Sequence, residues 1–303
     1  MHYRFAPIKL EDKKRMDAFF LAEEYDNSEL CFGNMFLWKD SWHIEICITD
    51  DDILLLRGFQ PGGERFFFPP ILKSPNQMAS GMQHCIDASH EEGRPFLMYG
   101  VTERIVELLH RSCNADDYVI VEDRDNFDYV YNTKDLIELP GSKYHAKRNH
   151  INKMRATVET VYERMNDSLV EPCYQSYMLW YEKRQAEGFD PTLEDEKVSV
   201  RLALDHWKEL EFDGGALLID GRVEAFSLGE RRKCDMAVIH VEKANTEYPG
   251  LYALINQQTA QNVFCDVRYL NREEDMGLPG LRRAKESYHP CRMVRKFIVR
   301  QRV

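Results

Sequence analysis

Ala216-Leu-Leu-Ile-Asp220-Gly221-Arg222-Val-Glu-Ala-Phe-Ser-Leu228 is two apolar runs joined by Asp-Gly. A type I′ turn needs positive φ at both central residues, which Asp and Gly adopt at low cost. The stretch therefore predicts a hairpin with strands over 216–219 and 222–228. Residues 236–241 (MAVIHV) add a third apolar strand. Upstream, 158–165 is a strand, and Ser168-Leu-Val-Glu171 is a capping box opening a helix that ends near Gly188. A second helix starts at Pro191-Thr192 and runs to about residue 210. Downstream, Pro249-Gly250 breaks the chain before a helix over 251–264; a strand over 267–270, a helix over 279–288 and a strand over 293–299 follow. The order is β-α-α-β-β-β-α-β-α-β.

The first half repeats this string. Residues 3–8 are a strand, 11–24 and 28–40 helices, 43–49 and 53–57 strands around Asp50-Asp51-Asp52, and 66–68 a strand. A helix over 75–92, a strand over 96–101, a helix over 102–111 and a closing pair over 118–122 and 127–132 complete it. The two strings are offset by roughly 170 residues with negligible identity, a repeat of plan rather than of sequence. The 303 residues are thus expected to form two α/β domains of mixed sheet, 1–140 and 141–303.

Composition narrows the function classes. At 44% hydrophobic and 30% charged the chain can bury a core and is not disordered. No apolar run approaches the roughly 20 residues that span a bilayer. Arg4, Lys9, Glu11 and Asp12 interrupt any signal-like stretch, so a cytoplasmic protein is expected. The eight cysteines form no CxxC pair, which disfavours a disulfide framework or a structural zinc site; no metal is expected. No P-loop, dinucleotide-binding GxGxxG or GxSxG elbow occurs.

Charge is uneven. Residues 1–140 carry 14 Lys+Arg against 26 Asp+Glu, and 141–303 carry 26 against 25. Five Lys/Arg and no acid lie between Lys143 and Arg155; eight Lys/Arg and one acid, Glu286, follow Met276. Two basic segments in an acidic chain point to an anionic partner. The ordinary alternative is that the acidic half neutralises them.

Two stretches carry a resemblance. They are Gly141-Ser-Lys-Tyr-His-Ala-Lys-Arg-Asn-His-Ile-Asn-Lys153 and Tyr269-Leu-Asn-Arg-Glu-Glu-Asp-Met-Gly-Leu-Pro-Gly-Leu-Arg-Arg-Ala-Lys-Glu-Ser-Tyr-His-Pro290. With the element order, they resemble the family of the phosphatidylglycerol lysyltransferase C-terminal catalytic domain, relatives of the Fem-type aminoacyl transferases. The resemblance implies two tandem GNAT-like (acyl-CoA N-acyltransferase) domains, with the active cleft in the second. It implies transfer of an acyl or aminoacyl group from aminoacyl-tRNA or acyl-CoA to an amine or hydroxyl of a small molecule, peptide or lipid head group. No cofactor is required on this reading, though CoA would serve. The rival expectation is a degenerate, non-catalytic GNAT domain binding CoA, a nucleotide or a partner protein.

In such folds the donor meets the helix after the fourth strand, where backbone N–H groups bind phosphate. The stretch here is Glu242–Tyr252, with a single glycine instead of the usual Q/R-x-x-G-x-G/A cradle. Tyr248, Gly250 and Tyr252 are the candidates, joined by Lys147, Arg148, His150 and Lys285 from the basic segments. Reacting groups are expected where the fourth and fifth strands part: Glu242 as base or amine-binding carboxylate, with Asn271 and Glu273 as partners. Arg272, Glu274 and Asp275 complete that run, whose carboxylates suit a cationic α-amino group or a basic side chain, or could alternatively cap a helix. Strand alternation predicts that His240 shares a face with Glu242, so that the two act together or not at all. Tyr288 stands where many GNAT proteins place the tyrosine that protonates the leaving group.

Overall fold

The computed structural model describes residues 3–23, 25–60, 63–188, 192–233 and 235–302; Pro191, the last residue of the helix expected over 11–24, and Cys234 of the eight cysteines lie outside them. The chain forms two compact units. One comprises Met1–Asp128, Glu274–Arg282 and Met293–Val303; the other comprises Tyr129–Glu273 and Arg283–Arg292. This division differs from two contiguous halves meeting at residue 141, because the first unit takes in two segments from the C-terminal end and the second begins at Tyr129.

The first unit runs β1 (Ala6–Pro7), α1 (Lys13–Phe20), α2 (Phe32–Leu37), β2 (Glu45–Ile48), β3 (Leu54–Phe59), β4 (Arg65–Phe67), α3 (Met78–Glu91), β5 (Leu97–Thr102), α4 (Glu103–Ser112) and β6 (Tyr118–Glu122). Leu54, Leu55 and Leu56 are all fully buried, so β3 is covered on both faces and reads as a continuous apolar run rather than an alternating one.

The second unit contains β7 (Asp128–Asn132, from Tyr129 on), α5 (Thr133–Glu138), α6 (His145–Thr157), β8 (Val161–Arg164), α7 (Val170–Glu187), α8 (Thr192–Asp205), β9 (Asp213–Ile219), β10 (Arg222–Arg232), β11 (Met236–Ala244), α9 (Leu251–Asn262) and β12 (Tyr269–Asn271). The chain closes with α10 (Pro279–Glu286), β13 (Arg292–Val294) and β14 (Lys296–Gln301). The sheets are β1-β2-β3-β4-β5-β14-β6 and β13-β7-β12-β11-β10-β9-β8. Two expectations change. The strand expected to close the second domain splits, and its larger part, β14, inserts between β5 and β6 of the first sheet. The strand over 127–132, expected in the first domain, becomes β7 and pairs with β12.

The Asp220-Gly221 hairpin forms as expected, with φ of 50° and 76°. The capping box does not. Asn166, two residues earlier, accepts the Ser168 N–H at 2.9 Å, and α7 starts at Val170.

A buried ionic cluster holds β14. Lys296, whose side chain is 1% exposed, donates to Asp128 and to Glu29, each at 2.6 Å. Asp128 also accepts the backbone N–H (2.7 Å) and hydroxyl (2.9 Å) of Ser28. Burial pushes the Glu29 carboxyl up to about 7 from 4.5, against the pull of Lys296. In the second unit, α6 lies so close to the start of α9 that a Cβ on Gly250 (φ 101°) would stand 2.6 Å from the His150 carbonyl oxygen.

Lys296→Met strands two carboxylates and should cost ~3–5 kcal/mol in urea unfolding. Glu29 binds its proton more tightly folded than unfolded. Its contribution is therefore full below about 4.5 and is lost as pH rises through about 7. Unfolding free energy followed from pH 5 to 8 should decline less in Glu29→Gln than in the parent. Gly250→Ala should cost ~1–3 kcal/mol, from its backbone conformation alone, in the same assay.

Candidate active site

Strand β11 pairs in parallel with β12 only through Met236–Val238 and then runs on to Ala244 without it. The fourth and fifth strands of this sheet therefore part as expected, and Glu242 stands on the unpaired stretch. Its Oε1 accepts from Arg272 Nη2 at 2.6 Å, and its Oε2 accepts from Asn256 Nδ2 on α9 at 3.1 Å. The adjacent Lys243 pairs instead with Glu196 at 2.6 Å and lies 3.7 Å from the Trp180 ring centroid, so consecutive residues serve α9 and the α7–α8 side respectively.

Arg272 also lies against two tyrosine rings, at 4.8 Å from the Tyr288 centroid and 5.6 Å from that of Tyr131. Lys147, on α6, reaches the same Tyr288 ring at 3.8 Å. Burial alone would weaken the Arg272 guanidinium as an ion; Glu242 outweighs it and holds the charge firmly in place. Burial pushes the Lys147 ammonium down to about 8, assisted by repulsion from Arg272. Burial also pushes the Tyr288 phenol up to about 12, so it stays protonated through the physiological range. The Tyr288 backbone carbonyl accepts from the Tyr144 hydroxyl at 2.8 Å, which fixes the residue while its own hydroxyl takes no hydrogen bond from the described residues. Lys285 donates to the Arg272 carbonyl at 2.5 Å and its own carbonyl accepts from Tyr131 at 2.8 Å.

The other expected residues separate from this group. His240 and Glu242 have separate partners. The β10–β11 register shifts here, Leu228 facing Val241 and Gly229 facing Ile239, so alternation does not carry across His240. The His240 side chain is fully buried; its Nδ1 meets Glu273 at 2.8 Å and its Nε2 meets Glu230 at 2.9 Å. Glu273 is thus engaged by His240. Asn271 accepts the Glu273 N–H at 2.8 Å, and in the first unit Asp275 accepts that of Gly277 at 2.9 Å, so these residues shape turns rather than cap a helix. Arg148 donates to the Leu139 and Gly141 carbonyls, tying down the end of α5. Tyr248 and Tyr252 pack on the apolar cluster of α6 and α9, and His150 is exposed.

The two basic segments also part company. From the C-terminal one, Arg282 pairs with Asp275 and Asp125, Arg295 with Glu103 and Glu122, Lys296 with Asp128, and Arg300 with Glu64. Internal neutralisation is the outcome there. On α6 and the turn before it, Lys143, Lys147, Arg148, Lys153 and Arg155 have no acidic partner among the described residues. Lys143, Lys153 and Arg155 are exposed.

Sequence reading missed Asn256, Tyr131 and Ser227. Asn256 is 3% exposed and follows Leu254 and Ile255 on the buried face of α9; a polar residue inside an apolar stripe was the available signal. Ser227 stands opposite Glu242 in register, in a strand whose burial offers no such contrast.

The sequence profile described as "Phosphatidylglycerol lysyltransferase, C-terminal" matches residues 22–300. No curated protein matches the chain. Among solved structures, a conserved protein of unknown function from Bacteroides thetaiotaomicron is 28% identical, with TM-score 0.92, over 99% of this chain and 100% of that one. L-PGS from Bacillus licheniformis is 12% identical, with TM-score 0.67, over 96% and 92%. A tandem GNAT protein from the clavulanic acid biosynthesis pathway is 9% identical, with TM-score 0.52, over 99% and 98%. The fold is that of tandem GNAT proteins. None of the described helices is long and apolar enough to cross a membrane. By the match of its profile over nearly the whole chain, this protein belongs to the family of the phosphatidylglycerol lysyltransferase C-terminal domain.

Proposed function

We propose that this chain transfers an acyl or aminoacyl group from a phosphate-rich donor to an amine or hydroxyl, at the cleft where β11 leaves β12. The observation that carries the reading is the Tyr288 hydroxyl, protonated at neutral pH and without a hydrogen bond to the described residues, beside the Glu242–Arg272 pair. Acyl transfer needs a base for the nucleophile and an acid for the leaving group. Glu242 Oε2, held only by the longer of its two hydrogen bonds, takes the acceptor's proton; Tyr288 returns one to the leaving oxygen or sulfur. Arg272 orients the carboxylate through Oε1. Asn271 and Glu273 support this site through the turn after β12, and Lys285 does so through the Arg272 carbonyl.

Aminoacyl-tRNA suits the structure better than acyl-CoA. The side of Gly250 where a Cβ would stand faces the His150 carbonyl, and the Leu251 N–H already donates to the Tyr248 carbonyl at 3.0 Å. The amides that would grip a pyrophosphate are thus partly engaged. The exposed cations of α6, with no acids among them, suit a polyanionic backbone. The acceptor is a small molecule, a peptide or a lipid head group.

Transfer from radiolabelled aminoacyl-tRNAs and acyl-CoAs to amine, hydroxyl and phosphatidylglycerol acceptors tests the reading. Tyr288→Phe and Glu242→Gln should each lower kcat by ~10²–10⁴. Full activity in either would remove that residue from the chemistry; no transfer from any donor would favour the non-catalytic binding domain. Lys153→Glu with Arg155→Glu should weaken tRNA binding and flatten its salt dependence, by roughly one unit of log–log slope for each phosphate that is no longer neutralised.

A further inference from the structure

The residues around Tyr288 carry more positive than negative charge. Arg272 has one carboxylate, Glu242, and Lys147 makes no hydrogen bond or ion pair with any described residue. The carboxylates that the sequence places beside Arg272 do not change this, since Glu273 is held by His240 and, in the other unit, Asp275 is held by Arg282.

Two polar atoms at this pair lack partners. Arg272 Nη1 is buried without an acceptor, although the side chain as a whole is 12% exposed. Asn256 must turn its amide nitrogen toward Glu242, because a carboxylate accepts and does not donate, and this leaves Asn256 Oδ1 buried and unpaired. A buried guanidinium N–H with no acceptor costs free energy comparable to a lost hydrogen bond. It is an expensive arrangement unless something is bound there. The fork of an arginine fits a two-oxygen anion, and a nearby lysine adds a point charge without demanding geometry.

We infer that Arg272 and Lys147 form a subsite for a substrate oxyanion, a carboxylate or a phosphate, which Arg272 Nη1 contacts directly against the Tyr288 ring. This rests on the reading of the cleft as the transfer site and reverses the polarity suggested by the acidic run 273–275: the subsite selects a ligand by its negative group rather than by a cationic amine. Glu242 holds Nη2, which turns the other arm of the guanidinium toward the ligand. Asn256 Oδ1 remains available to an N–H or O–H of the same molecule.

The full chain is tested with lysines dimethylated with carbon-13, the Lys147 resonance being assigned by its loss in Lys147→Gln. Its titration is followed at constant ionic strength with chloride, acetate or inorganic phosphate as separate arms. Relative to chloride, a bound oxyanion should raise the Lys147 midpoint by about one unit, which corresponds to roughly tenfold tighter binding to the charged amine. Calorimetric affinity for the same anion should fall about tenfold in Lys147→Gln and be lost in Arg272→Lys, which keeps the charge and removes the fork. A response to acetate alone assigns a carboxylate; a response to phosphate alone assigns a phosphate. The inference is overturned if neither anion moves the midpoint, or if Arg272→Lys binds as well as the parent. In either case the two cations would serve only a charge that develops during transfer. Because no turnover is measured, anion binding without transferase activity would uphold the subsite and sink the proposed reaction, and the converse result would do the reverse.

Discussion

Parallel pairing between β11 and β12 lasts three residues, and what lies beyond depends on that brevity. Beyond Val238 the β11 backbone pairs with β10 on one edge only, and the edge toward β12 is left open. The strands separate, and the turn after β12 swings Arg272 back toward β11. A carboxylate and a guanidinium meet there with two tyrosine rings and an amide around them. Such a pair contributes little net stability once its desolvation is counted. Its value is that it holds both groups in one geometry.

Both units solve the same problem at the end of their fifth strand, with different chemistry. In the first, Lys296 is 1% exposed and donates to both Asp128 and Glu29. In the second, Arg272 keeps an unpaired N–H, and a half-buried lysine stands by without a counter-ion. Saturated ionic clusters hold structure; unsaturated ones leave room for a ligand. That contrast supports the proposal of a transfer site in the second unit.

Much of the fold was legible in the sequence because its signals are local. The Asp220-Gly221 turn, the apolar run of β11 and the Pro-Gly break before α9 each depend on a few adjacent residues. Glu242 and Tyr288 could likewise be singled out from their places in the element order. Local rules failed at particular points. A bulge at His240 broke the alternation that was to place it beside Glu242. Ser168 looked like a helix cap, but Asn166 satisfied the N–H first. At Gly250 nothing in the sequence signalled that the missing side chain admits the α6 backbone.

The sequence by itself determined most of the elements and the uneven charge, since propensity, periodicity and composition are properties of neighbours along the chain. Only the tertiary structure decided which sheet each strand joined, because nothing local in β7 or β14 names the strand it pairs with. It also decided which charges were used up. Of two basic segments alike in composition, the C-terminal one met carboxylates in its own unit, while that of α6 met none. Charge pairing depends on distance through space, and no count along the chain contains it.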